Sequence, residues 1–207
     1  MGKIQLHRYR LSAGMARMKS AVIVTATLLS LSACNPNRTY SVAGETMGTT
    51  WHLTVNGAFN LTKKQIQNQV QKALDTIDKL MSSYKTDSDV GRFNRASANV
   101  LVPIHSLTAN VIQIALEMSQ KSNGAFDITA GKLIRLWGFG ADFTSKVPNK
   151  IAIEQAKKVT GYPFLKLIKK GDNFYLRKQK NGMEIDLSAV AKGFAVDYAA
   201  KSLEKLG

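Results

Sequence analysis

Two stretches of this sequence place apolar residues three and four positions apart, which is the spacing of one face of an α-helix. The first runs from Leu61 to Ser82 with Thr62 as a candidate N-cap, and the second runs from Leu107 to Ser122 with Ser106 or Thr108 as its cap. An amphipathic helix is stable in a globular protein when another element covers its apolar face. The chain therefore requires a further layer that packs on these helices.

Segments rich in β-branched and aromatic residues can supply that layer. The region from Tyr40 to Val55 predicts a strand, a glycine turn and a second strand, and Phe164–Ile168 with Asn173–Arg177 predicts a hairpin. Three more elements are predicted: a strand at Glu184–Leu187, a short helix at Ala152–Val159 and a helix at Ala189–Leu206. Because helices are mixed with hairpins, we expect an α+β fold rather than strictly alternating α/β.

Composition and charge limit the function classes. The chain has 207 residues, 44% of them apolar and four of them proline, which is too apolar for a disordered protein and sufficient for one core. Its formal charge is +15, but the lysines occur in pairs rather than long runs. A basic composition without a binding motif does not indicate nucleic acid, so we expect no nucleic-acid partner.

The N-terminus predicts export and lipidation. Basic residues precede the apolar stretch from Ala21 to Ala33, which has the length of a signal-peptide core, and Leu31-Ser-Ala-Cys34 resembles a lipobox. Cys34 is the only cysteine, so it is the predicted lipidation site and no intramolecular disulfide is expected; a chance buried cysteine is the alternative. Met18 makes a more usual start than Met1, which suggests an upstream start assignment for residues 1–17.

We therefore expect three regions. Residues 1–33 are a signal peptide, 34–39 are a lipidated cysteine that also carries palmitate, with a polar tether, and 40–207 are the folded region. A lipoprotein of this kind would be anchored in a bacterial cell membrane and face the periplasm. The sequence leaves open whether that is the inner or the outer membrane.

Four glycine-containing segments carry candidate chemistry: Gly44–Trp51, Met81–Tyr84, Asn123–Gly140 and Glu184–Asp197. The first combines close backbone approach with a thioether, Met47, that can lie against a flat ring. The alternative for this segment is an ordinary hairpin turn with Met47 filling the core.

The other three segments also allow two interpretations each. Tyr84 can stack on an aromatic ligand or cover the edge of the core. Asp127 can belong to a pocket for a flat polar ligand or cap a helical turn, with Trp137 in the core. Lys192 lies one turn into a predicted helix, where it would add charge to a phosphate site; alternatively Ser188 is an ordinary N-cap and Lys192 is solvated.

Taken together, the order and separation of these segments resemble the ApbE family of flavin transferases. The residues that carry the resemblance are Gly44–Trp51, Met81–Tyr84, Gly124-Ala-Phe-Asp-Ile-Thr129 with Leu136-Trp-Gly138, and Ile185–Asp197. The resemblance implies a T-fold-related mixed sheet with packed helices. It also implies magnesium-dependent transfer of FMN from FAD to a Thr or Ser hydroxyl of a target flavoprotein through a phosphoester bond, with release of AMP.

The resemblance carries specific roles to this chain. It implies that FAD is held by seven residues: Met47, Tyr84, Ala125, Phe126, Asp127, Asp186 and Lys192. The backbone carbonyl of Ala189 would be one Mg²⁺ ligand. The implied acceptors are flavoprotein subunits of a sodium-pumping NADH:quinone oxidoreductase or related electron-transport complexes.

The family's remaining metal ligands and its proposed catalytic histidine are expected downstream of Gly207, and His7, His52 and His105 do not occupy that histidine's position. The sequence thus predicts the N-terminal part of a transferase domain that is inactive alone. The alternatives are a non-catalytic periplasmic flavin-binding lipoprotein and a pyrophosphatase that acts on free FAD.

Overall fold

The computed structural model describes residues 38–57, 60–139 and 147–206. The predicted signal peptide, Cys34 and residues 35–37 of the tether lie outside the described residues, so those predictions stay as they are. Contacts between Cα atoms divide the described chain into two units. The smaller contains residues 38–40, 54–57 and Asn60, in which Thr39 donates a hydrogen bond to Asn56 (2.7 Å). The larger contains the remaining described residues.

In the described part of the chain, every helix is too short or too polar to cross a membrane.

The chain begins with the predicted hairpin. Strand β1 (Arg38–Thr46) pairs with β2 (Thr49–Gly57) across a turn at Met47 and Gly48, whose φ angles of 51° and 68° are those of a tight hairpin turn. Gly44 is required by packing, because a Cβ there would lie 2.7 Å from the Trp51 ring. The strand–turn–strand prediction is confirmed.

Helix α1 (Lys63–Met81) starts at the predicted cap. The Thr62 hydroxyl accepts a hydrogen bond from the Gln65 amide, and the Gln65 side chain bonds back to the Thr62 amide in a capping box. Its apolar face is buried as the spacing predicted: Ile66, Val70, Ala73, Leu74, Ile77 and Met81. This helix packs extensively against the last helix, α6 (Ser188–Glu204).

A three-stranded antiparallel sheet forms the second layer, in the order β3–β5–β4. Strand β3 spans Val102–Ile104, β4 spans Leu165–Lys170 after a short 3₁₀ turn at Tyr162–Phe164, and β5 spans Asn173–Lys178. Leu167 pairs with Leu176, which confirms the predicted hairpin. The mixed α+β prediction is confirmed.

The other helices are α2 (Asp89–Arg95), α3 (Ser106–Lys121), α4 (Gly131–Leu136) and α5 (Lys150–Val159). For α3 the cap prediction was wrong: His105 is the N-cap, and its Nδ1 accepts the hydrogen bond from the Leu107 amide. An imidazole nitrogen takes the place of the expected hydroxyl. For α5, Asn149 is the cap and accepts from the Ala152 amide.

The predicted strand at Glu184–Leu187 was also wrong, because the segment forms only an isolated parallel bridge between Glu184 and Ala130. Its backbone groups are satisfied in another way. The Asn94 side chain donates to the Ile185 carbonyl (3.0 Å) and accepts from the Ile185 amide (2.8 Å). A side-chain amide thus occupies the place of a neighbouring strand.

Candidate functional site

A cleft of about 470 Å³ lies where the C-terminal end of α1, the following loop, the Met47–Gly48 turn and the N-terminal end of α6 meet. It is lined by Met47, Gly48, Ile77, Asp78, Met81, Ser82, Ser83, Tyr84, Lys85, Ser188, Ala191 and Lys192. Its apolar floor comes from α1, since Ile77 and Met81 belong to the core. A cleft of this size with an apolar floor and a polar rim is typical of a small-molecule site.

The loop after α1 is fixed by Ser88. Its hydroxyl oxygen lies within hydrogen-bonding distance of the carbonyl oxygens of Ser82 (2.6 Å) and Lys85 (2.8 Å), to which it can donate. As the N-cap of α2, the same hydroxyl accepts a hydrogen bond from the Gly91 amide. Ser88 is 1% exposed. The conformation of the loop that carries Tyr84 is therefore tied to the start of α2.

Gly91 provides a test of that arrangement. A Cβ at this position would lie 2.2 Å from the Lys85 carbonyl oxygen and 2.9 Å from that of Thr86, so backbone would have to move. We expect Gly91→Ala to lower the free energy of unfolding by about 1–3 kcal/mol in urea denaturation, as overpacking does elsewhere. Gly193→Ala is the matched control: nothing lies within 4 Å of its Cβ, and alanine is favoured in the helix by roughly 0.5–1 kcal/mol. Equal effects of the two changes would contradict the packing argument.

Charges surround the cleft. The Lys85 ammonium lies 2.6 Å from the Asp78 carboxylate, and this hydrogen bond raises the pKa of Lys85 above its ordinary value. Lys192 lies in the second turn of α6, so it adds a full charge near the positive end of that helix. The α6 end of the cleft is therefore suited to an anionic group.

Three of the predicted FAD residues, Met47, Tyr84 and Lys192, line this cleft together. They come from the hairpin turn, the loop after α1 and helix α6, which are far apart in sequence. The Tyr84 side chain is 63% exposed, so it does not cover the core edge in this chain. Met47 occupies the hairpin turn and packs on the core, as the structural alternative predicted, and it also lines the cleft.

The predicted Ala125–Phe126–Asp127 stretch is not among the lining residues. Phe126 packs on the core. Asp127 Oδ1 accepts hydrogen bonds from the Thr129 amide and hydroxyl, and its Oδ2 accepts from the Tyr162 amide (2.8 Å). Asp127 thus organises its own loop, while Trp137, 48% exposed, is not the core residue that was one alternative.

The predicted Asp186 and Ala189 flank Ser188, which does line the cleft. The Asp186 amide donates to the Ile128 carbonyl (2.9 Å), which joins the third glycine-containing segment to the fourth. Asp186 Oδ1 accepts from the Ser188 amide at the first residue of α6 (2.8 Å). Ser188 is therefore not the N-cap that was one alternative. Leu187 occupies the N-cap position and makes no side-chain cap hydrogen bond, and the Asp186 carboxylate binds the Ser188 amide instead.

The donor set near Ala189 does not complete a magnesium site. Mg²⁺ prefers six oxygen ligands in octahedral geometry. Within residues 38–57, 60–139 and 147–206, no group of three or more His, Cys, Asp or Glu side chains is placed to hold a metal ion. The Ala189 carbonyl and the Asp186 carboxylate can contribute ligands, but alone they do not fit the ion's requirements.

Sequence reasoning missed the two charged residues Asp78 and Lys85, which line the cleft. Asp78 and Lys85 are seven residues apart, which would be two turns of a continuous helix. Helix α1 ends at Met81, however, so Lys85 lies in the loop that follows it. Opposite charges on both sides of a predicted helix end were the available signal.

The fold and cleft define an α+β protein with an open, partly apolar cleft at the ends of two packed helices. The family model of the ApbE family matches residues 47–207, and the chain belongs to that family.

Relatives with curated names agree. The chain is 36% identical over 165 residues to the FAD:protein FMN transferase of Salmonella typhimurium, which covers 79% of this chain and 47% of the relative. It is 32% identical over 197 residues to the protein of the same name from Haemophilus influenzae, covering 93% and 57%. The chain spans about half the length of the curated relatives it matches.

Solved structures show the same fold. The flavin transferase ApbE of Vibrio cholerae superposes with a TM-score of 0.77 at 29% identity, covering 83% of this chain and 55% of that one. The apo form of the Pseudomonas stutzeri flavinyl transferase ApbE gives 0.74 at 31% identity, covering 83% and 56%. The predicted family and its α+β fold of small sheets with packed helices are confirmed.

Proposed function

We propose that this chain binds FAD in the cleft and serves the transfer of FMN from FAD to a Thr or Ser hydroxyl of a target flavoprotein. The observation that carries the proposal is the convergence of Met47, Tyr84 and Lys192 on one cleft in a chain of the ApbE family. Its relatives bear the name of that activity.

The side chains in the cleft suit the parts of FAD. The Met47 thioether and the exposed Tyr84 ring offer surfaces on which isoalloxazine or adenine can pack. Lys192 and the N-terminal end of α6 offer positive charge for the pyrophosphate. Asp186 holds the first turn of α6 through the Ser188 amide, which keeps that end of the helix in place.

In the proposed reaction, the acceptor oxygen bonds to the FMN phosphorus, the bond from that phosphorus to the AMP oxygen breaks, and AMP leaves. The described residues would bind and orient FAD for this step. We assign neither the base that takes the hydroxyl proton nor a step to Mg²⁺, since the described donors do not complete its site. Magnesium dependence remains part of the proposal.

Titration of the chain with FAD, followed by flavin fluorescence, tests the binding step. We expect Lys192→Gln to raise the Kd for FAD by about tenfold, the loss of one charge-assisted hydrogen bond. Lys201→Gln, an exposed lysine near the other end of α6, removes the same charge and should leave the Kd unchanged. Wild-type protein that is folded and does not bind FAD would refute the proposal.

The intact mass of an acceptor protein, after incubation with FAD, Mg²⁺ and a form of the protein extended to the length of its relatives, separates the three candidate activities, and the 207-residue chain assayed in parallel tests the predicted inactivity. Addition of one FMN indicates transferase activity. Free FMN and AMP without acceptor modification indicate an FAD pyrophosphatase. Bound FAD without either product indicates a flavin-binding protein that does not turn over.

The acceptor and the location belong to the same proposal. Acceptor flavoprotein subunits of sodium-pumping NADH:quinone oxidoreductase or related complexes, which carry a target Thr or Ser, are the partners to assay first. We propose that Cys34 carries the lipid anchor, with the folded region facing the periplasm. Labelling with a radioactive palmitate precursor should mark the wild-type protein, and label retained in Cys34→Ser would refute the anchor.

A further inference from the structure

The ion pair between Asp78 and Lys85 lies at the cleft, and the proposed function has given it no part. Asp78 belongs to the last turn of α1, and Lys85 follows the three loop residues Ser82–Tyr84 that line the cleft. Lys85 Nζ lies 2.6 Å from Asp78 Oδ2, with side-chain exposures of 46% and 18%. The pair therefore fixes the cation at the cleft while leaving it open to solvent.

Lys85 keeps donors for a ligand. An ammonium group has three N–H donors. In the described part of the chain, Asp78 is the partner recorded for the Lys85 side chain, so two donors remain. The hydrogen bond to Asp78 also keeps the amine protonated, since it raises the pKa of Lys85.

The α1 side of the cleft would otherwise repel an anion. The C-terminal end of a helix carries partial negative charge, and Asp78 adds a full negative charge beside it. Lys192 and the N-terminal end of α6 supply positive charge from the other helix. A phosphate group in the cleft therefore needs a cation on the α1 side as well.

We propose that Lys85, positioned by Asp78, is a second phosphate-binding residue and contacts the pyrophosphate of a dinucleotide together with Lys192. The inference rests on the proposed function, which names FAD as the ligand. It assigns the loop after α1 to recognition of the phosphates, in addition to any stacking by Tyr84.

The test measures binding of three probes: FAD, inorganic pyrophosphate and riboflavin, which has no phosphate. We expect Lys85→Gln to raise the Kd for FAD and for pyrophosphate by about tenfold and to leave riboflavin binding unchanged. Lys85→Arg keeps the charge and should retain most of the affinity. Lys79→Gln, an exposed lysine on α1 that does not line the cleft, is the charge-matched control and should change none of the three.

Each outcome decides the matter. Equal loss of riboflavin and FAD binding in Lys85→Gln would show that Lys85 only shapes the cleft, which overturns the inference, as would unchanged binding of FAD and pyrophosphate. If wild-type protein binds pyrophosphate through Lys85 but does not bind FAD, the proposed function fails and the phosphate site stands. If it binds neither, both fail.

Discussion

Asp89→Ala should lower the free energy of unfolding by about 3 kcal/mol, because it removes a buried carboxylate and leaves its donors unpaired. Asp89 is 2% exposed. Its Oδ1 accepts from Arg92 Nη2 (2.5 Å), and its Oδ2 accepts from the His105 amide (2.9 Å) and the Thr108 hydroxyl (2.5 Å). One carboxylate therefore joins α2 to the start of α3.

Urea denaturation of the variant and of Asp87→Ala measures this effect. Asp87 is exposed and lies in the loop just before α2, and its replacement should change stability little, as surface substitutions do. Asp89→Asn keeps an acceptor and should fall between Asp89→Ala and the wild-type protein. If Asp89→Ala and Asp87→Ala were equally stable, the network would contribute no net stability.

That network shows why part of the fold could not be predicted. The helices α1 and α3 and both hairpins carry long periodic patterns, and the sequence alone predicts them within a few residues. Helix α2 has seven residues, too few for a periodic signal, and its start depends on contacts that Ser88 and Asp89 make with distant groups. The position of α2 is therefore determined by tertiary contacts and not by its local sequence.

Strand β3 was missed for a related reason. It has three residues with Pro103 in the middle, and proline removes a ladder donor. The strand is possible because β3 lies at the edge of the sheet, paired to β5 on one side only. Conversely, Glu184–Leu187 has the composition of a strand, but its backbone groups form hydrogen bonds with Asn94 and with the 128–131 segment. Asn94 is 91 residues away from Ile185 in sequence, so local patterns could not indicate this contact.

The candidate site divides in the same way. Met47, Tyr84 and Lys192 could be proposed from the sequence because glycine-containing segments and a helix start mark them. Their convergence needed the packing of α1 on α6. Lys85 was missed, since its position in the cleft depends on where α1 ends and on its partner Asp78 in the last turn of that helix.

Lys178 is the second residue for which we expect a large effect. Its side chain is 1% exposed, and its Nζ donates to the carbonyls of Phe93 (3.0 Å), Asn94 (3.0 Å) and Met183 (2.7 Å). The ammonium also lies 4.9 Å from the centroid of the Phe93 ring. We expect Lys178→Ala to cost about 3 kcal/mol or more in urea denaturation, since three carbonyls lose their donor and a cavity remains.

The same burial predicts a pH dependence. Desolvation lowers the pKa of Lys178 below its ordinary value of 10.5, opposed in part by the charge of Glu184. Between the lowered folded-state pKa and 10.5 the unfolded state binds more protons at this residue, so the free energy of unfolding contributed by Lys178 rises with pH. Below that window the full cost of burying the charge is present, and above it the dependence ends.

The difference in unfolding free energy between wild-type protein and Lys178→Met isolates the pH-dependent contribution of Lys178, because the contributions of the other titrating groups are the same in both proteins and cancel. It should grow in favour of the wild-type protein as the pH approaches 10.5. Lys166→Met, at an exposed lysine of the neighbouring strand β4, is the matched surface substitution and should change stability little. A difference for Lys178→Met that does not change with pH would mean that the three carbonyls compensate the ammonium fully for its loss of water.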